Sequence, residues 1–138
     1  MPEVSFPVEV AGGVPVVAAP EEIDITNAAR LRAALLRAAA PGNRTLVVDM
    51  SRTQFCDSAG LHVLVRAHER AQADGGELRV VIGGAAVLRI FAVTSIDRLI
   101  RSFPSLAQAL AHTAVPDSLG LPGAPAPPTG PEPLAAPR

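Results

Sequence analysis

Apolar residues recur along this chain with a period that switches between strand-like and helix-like. Valine-rich runs at residues 5–10 and 14–18 flank Ala11-Gly12-Gly13, the pattern of a β-hairpin with a glycine-bearing turn. Pro7 and Pro15 each remove a ladder donor, which places this pair toward a sheet edge. Behind the acidic stretch Glu21-Glu22-Ile23-Asp24, Thr26 or Asn27 can cap a helix in which Ala28, Leu31, Leu35 and Ala38 keep helical spacing. Pro41-Gly42 stops it. Leu46-Val47-Val48 is apolar on successive residues, so residues 44–50 read as a central strand covered on both faces.

A loop at residues 51–57 leads into a second helix at residues 59–73, with Leu61, Leu64, Val65 and Ala71 inward and Arg66, Glu69 and Arg70 outward. Asp74-Gly75-Gly76 ends it. Residues 77–82 form another buried strand, and Gly83-Gly84 opens a short helix whose Val87, Leu88, Phe91 and Ala92 make an apolar stripe. That stripe reads as core packing, with any exposed remainder lending a contact to a partner helix. Residues 99–102 give a last strand, and Phe103-Pro104-Ser105 starts a fourth helix, Leu106 and Leu110 inward, that fades near Thr113. The order β β α β α β α β α predicts one α/β domain, a mixed, mostly parallel sheet of about five strands with four helices packed on it. From residue 116 onward lie eight of the 14 prolines, interleaved with glycine and alanine. Such a segment has neither a buried face nor a hydrogen-bond ladder, so residues 1–113 are assigned to the domain and 114–138 to a disordered tail.

Composition narrows the functions. With 12 basic and 13 acidic side chains and a net charge of -1, the chain has no electrostatic footprint for nucleic acid or an anionic membrane. Tryptophan and tyrosine are absent and phenylalanine occurs 4 times, which removes a base-stacking platform. The single cysteine, Cys56, reads as a small buried hydrophobe, and no cysteine–histidine grouping suggests a metal. The N-terminus has no basic leader, and no apolar run is long enough to span a bilayer. A cytoplasmic protein acting through protein partners is the expectation. Gly83-Gly84 and Gly12-Gly13 lack the lysine and spacing of a phosphate-binding loop, so no cofactor is expected.

The segment Val47-Val48-Asp49-Met50-Ser51, followed by Phe55-Cys56-Asp57-Ser58-Ala59-Gly60-Leu61, resembles the STAS family, the domain of sulphate transporters and anti-sigma factor antagonists. The Asp-Ser-x-Gly-Leu stretch entering a helix is similar to the single-domain antagonists, and the likeness runs over residues 4–113. It implies partner switching: the unphosphorylated protein binds an anti-sigma factor serine kinase and frees a sigma factor, the kinase phosphorylates Ser58, and a metal-dependent serine phosphatase reverses it. The implied partner-binding set is Glu22, Asp24, Asp57, Ser58, Ala59, Gly60 and His62. The family also includes sensor or scaffold modules and transporter-associated subunits without such a switch, and these stand as the alternative.

Each of these residues has a plainer role. Ser58 can serve as an N-cap, Asp57 can complement a helix dipole, and Glu22 and Asp24 can be a solvated helix approach. Gly60 either lets a partner backbone come close or is a small residue in a first turn. His62 stands where the antagonists commonly have glycine, Ala59 where they often have serine or threonine, and Glu21 where glycine is usual; these departures bear on which kinase is bound. His62 follows Ser58 by four residues, within reach of a phosphate on the same helix face, or is a surface histidine. An enzyme built on Ser58, with His62, His68 or His112 as base and Asp57 as orienter, is disfavoured because the surrounding residues are not a G-x-S-x-G elbow.

Overall fold

The structure, a computed structural model, describes residues 6–39 and 44–111. The helix stop at Pro41-Gly42, the first residue of the predicted hairpin, His112 and the tail assigned to 114–138 lie outside the described residues. Strands β1 (Val8–Ala11) and β2 (Val14–Ala18) form the antiparallel hairpin, with Gly12 and Gly13 both at positive φ in the turn, where glycine carries no Cβ penalty. After β3 (Glu22–Ile23) come α1 (Ala28–Ala38), β4 (Thr45–Met50), β5 (Phe55–Cys56), α2 (Ser58–Ala73), β6 (Glu77–Ile82), α3 (Ala85–Val93), a 3-10 turn at Ile96–Arg98, β7 (Arg101–Phe103) and α4 (Leu106–Ala111). Five strands make one sheet in the order β1-β2-β4-β6-β7, antiparallel only at the β1–β2 edge. The mixed, mostly parallel architecture predicted from sequence is the one found, with β4 in the middle.

The main core lies on one face of the sheet, where Leu31 and Leu35 of α1, Leu61 and Leu64 of α2, and Val87 and Phe91 of α3 meet Val17, Val48 and Val80. Burying each such side chain contributes about 1.5–3 kcal/mol. The opposite face carries a smaller cluster of Val16, Val47 and Val81 under Ala109 of α4, with Leu106 and Leu110 half-buried at its rim.

Four details differ from the sequence expectation. In α3 only Val87 and Phe91 of the apolar stripe are core; Leu88 and Ala92, one position further round the helix, are exposed. A separate parallel pair, β3 with β5, joins Glu22 to Phe55 and Ile23 to Cys56; two-residue strands carry no periodicity to read. The last strand begins at Arg101, two residues late, because the apolar Leu99 and Ile100 belong to the end of the 3-10 turn, where the Leu99 and Ile100 amides bond the Ile96 carbonyl. Helix α2 starts at Ser58, one residue early, because Asp57 is its N-cap.

Candidate functional site

The site forms where two loops leave the same end of the sheet and are stitched together. The Gln54 and Phe55 amides donate to the Glu21 carbonyl, the Asp57 amide donates to the Ile23 carbonyl at 3.0 Å, and the Thr53 hydroxyl donates to the Pro20 carbonyl at 2.8 Å. These bonds carry the acidic segment 21–25 to the start of α2.

Asp57 completes the junction. Its Oδ1 accepts from the Gly60 amide at 3.1 Å and its Oδ2 from the Ile25 amide at 3.2 Å. One carboxylate therefore caps α2 and ties it to the loop before α1. An N-cap of this type is worth about 1 kcal/mol and its charge suits the positive end of the helix dipole.

Ser58 is the first helical residue and is exposed. Capping, the plainer role, belongs to its neighbour Asp57, and the Ser58 hydroxyl makes no hydrogen bond among the described residues. A nucleophilic oxygen on a rigid helix start, in front of free first-turn amides, is accessible to a second protein and electrostatically receptive to a phosphate.

Gly60 faces the other way. It is buried, and a Cβ placed on it would lie 2.6 Å from Ile23 Cγ2 and 2.8 Å from Cys56 Sγ. Its lack of a side chain is needed for α2 to pack on the β3–β5 pair. Ala59 is half-buried beside it, and His62 is exposed one turn along α2 from Ser58.

Glu22 is exposed at the start of the segment. Asp24 turns its carboxylate back on its own loop, accepting from the Thr26 amide and hydroxyl. The bonds from Thr26, chiefly its hydroxyl, hold the Asp24 carboxyl below the usual carboxylate range. Asn27 occupies the N-cap position of α1, yet its side chain reaches backward, donating to the Glu22 carbonyl and accepting from the Asp24 amide. Thr26 and Asn27, either of which the sequence offers as a cap for α1, instead close this loop together with the Ile25 amide; the Asp-x-Thr spacing of 24 and 26, typical of a side-chain-closed turn, is the signal for it.

Cys56 is buried beneath Gly60, and burial, helped by the charge of Asp57, pushes its thiol up to about 12. It is an inert hydrophobe at neutral pH. Both Asp57 oxygens are engaged by backbone amides, and no histidine among the described residues hydrogen-bonds the carboxylate. His68 is buried on the inward side of α2, its Nδ1 accepting from the Leu78 amide at 3.2 Å. Among the described residues no group of three metal-ligating side chains occurs, and no helix is long and apolar enough to cross a membrane.

The chain is 32% identical over 98 residues to "Anti-sigma-F factor antagonist RsfB" of Mycobacterium tuberculosis, covering 71% of this chain and 80% of that protein. An anti-sigma factor antagonist from Mycobacterium paratuberculosis has a crystal structure that superposes with a TM-score of 0.70 at 33% identity, covering 77% of this chain and 90% of the other. The anti-sigma factor antagonist SpoIIAA in its unphosphorylated form superposes with a TM-score of 0.62 at 17% identity, covering 86% of this chain and all 100% of the other, a likeness of fold. The sequence profile of the STAS domain matches residues 5–109, and with the fold and these relatives it establishes that the chain belongs to the STAS domain family.

Proposed function

We propose that this protein is an anti-sigma factor antagonist that binds an anti-sigma factor serine kinase while Ser58 is unmodified and releases it once Ser58 carries a phosphate. The observation that carries this reading is the Ser58 hydroxyl, exposed and without a hydrogen-bond partner among the described residues, on a helix start that Asp57 braces. The kinase transfers the γ-phosphoryl group of ATP to Ser58 Oγ, and a metal-dependent serine phosphatase removes it, both in the cytoplasm. Asp57 and Ala59 are the chain neighbours of Ser58, His62 stands one turn along α2 and Glu22 lies exposed on the strand paired with β5; these four belong to the docking surface, while Asp24 and Gly60 shape it from behind. The added charge of about -1.5 to -2 falls beside Asp57, so the docked state is lost through repulsion and desolvation while the fold persists.

Incubation with the cognate kinase and ATP adds one phosphate by mass spectrometry, and Ser58→Ala abolishes it. Ser58→Asp weakens kinase binding while circular dichroism and melting stay close to those of the parent. Unchanged phosphate incorporation in Ser58→Ala removes the residue from its role.

A further inference from the structure

Helices α1 and α2 begin at the same end of the sheet, joined there by Asp57, and run side by side above it. Between them lies a groove of about 630 Å³, a volume in the range of small-molecule sites. Its floor is apolar, made by Leu35 and Leu46 of the core together with Val63 and Ala67, and Leu36 stands at its edge 41% exposed. Its rim is basic: Arg32 projects from α1, and Arg66 and Arg70, one turn apart, from α2. None of these three guanidinium groups has an ion pair or hydrogen bond among the described residues.

That charge arrangement is unfavourable by itself. Like charges four residues apart on a helix repel, and the third guanidinium across the groove adds to the effect. Two acids, Glu69 and Asp74, also line the groove, but neither pairs with the arginines, and the lining stays net positive. Guanidinium forks complement carboxylate and phosphate oxygens bidentately, and the apolar floor suits a hydrocarbon body, not a fully hydrated ion.

We infer that the α1–α2 groove binds a small amphiphilic anion, an apolar body ending in a carboxylate or phosphate, with the body on Leu35, Val63 and Ala67 and the head held by Arg32, Arg66 and Arg70. Ser58 is not part of this groove, although His62 of the docking surface also lines it, and the inference does not depend on the phosphorylation reading.

Calorimetric titration of the full chain tests it with dodecyl phosphate and dodecanoate, each below its critical micelle concentration, and with inorganic phosphate and octanol as head-only and tail-only probes. Saturable one-to-one binding of both amphiphiles is expected, with the head-only and tail-only probes at least about tenfold weaker. Arg66→Gln with Arg70→Gln, and separately Leu36→Glu, weaken the amphiphiles about tenfold or more at unchanged melting temperature. Val93→Ser, at an exposed apolar position on α3, leaves binding unchanged and controls for non-specific adsorption. Absence of saturable binding, equal affinity in the arginine and Leu36 variants, loss of binding in Val93→Ser, or inorganic phosphate binding as tightly as dodecyl phosphate would each overturn the proposal.

Discussion

Asp57 and Arg79 each use one charged side chain to hold two parts of the chain together, but they do so in opposite settings. Asp57 sits at the surface, takes two backbone amides, and leaves the neighbouring hydroxyl of Ser58 facing solvent. Arg79 lies on β6 at 2% exposure, donates from Nε to Glu77 Oε2 at 2.8 Å and from a terminal nitrogen to the Ala109 carbonyl at 2.7 Å, and so anchors α4 to the thinner face of the sheet. The surface acid organises a site that another molecule can touch. The buried base organises only the fold, and its charge is tolerable because its partners are fixed.

The comparison breaks most visibly at the buried end. Arg79→Met leaves Glu77 with only the longer 3.4 Å contact to Arg101 and leaves the Ala109 carbonyl without its guanidinium donor. Losing these two charge-assisted hydrogen bonds costs about 3 kcal/mol or more, read as a lower urea midpoint. A midpoint within experimental error of the parent would mean that α4 is held by its apolar contacts alone.

Gly60→Ala comes next. The new Cβ meets Ile23 and Cys56 at distances no real contact tolerates, and overpacking of this kind costs about 2 kcal/mol. Adding Cys56→Ala, which removes the sulfur from one side of the clash, recovers part of the loss in chemical denaturation. If Gly60→Ala melts like the parent, α2 is free to shift on the β3–β5 pair and the helix start is not rigid.

Asp57→Ala removes the cap of α2 and the acceptor of the Ile25 amide together, with an expected cost of about 1–2 kcal/mol. Asp57→Asn keeps one acceptor oxygen and costs less. The ratio of the two separates the hydrogen bonds from the charge. Hydrogen exchange at Ile25 and Gly60 should rise in Asp57→Ala and leave Leu78 protected.

These effects also mark what the sequence could reveal. The serine and its acid are adjacent in the chain, so a short motif displays them, and the strands and helices around them are long enough for their periodicity to declare the order of elements and a mostly parallel sheet. Arg79 was invisible as a buried charge because its partners are Glu77, two residues back on the same strand face, and a carbonyl 30 residues away. The inward role of Gly60 depends on Ile23, which β3 delivers through a two-residue strand. His68 falls seven residues after Leu61 and four after Leu64, on the inward helical face; that spacing was legible, but the polar side chain argued against using it.

His68 gives the smallest effect and the sharpest test of interior polarity. β6 pairs with β7 only from Arg79 onward, and the amide of Leu78, one residue earlier, is satisfied by His68 Nδ1. Accepting that bond requires the neutral ring, whose proton then sits on Nε2, a buried atom without a partner among the described residues. Burial pulls the His68 pKa below 6.5, opposed by the nearby charges of Glu77 and Glu69. The unfolded chain therefore binds a proton at higher pH than the folded one, and stability rises with pH across this window. His68 imposes no penalty well above pH 6.5, and the penalty grows as pH falls through 6.5 toward the lower folded value. Denaturation midpoints measured from pH 8 down to pH 5 should decline for the parent and decline less for His68→Gln, whose amide oxygen can still accept from Leu78. Equal slopes in the two proteins would show that the histidine is protonated inside the fold, and that the Leu78 amide has another acceptor at low pH.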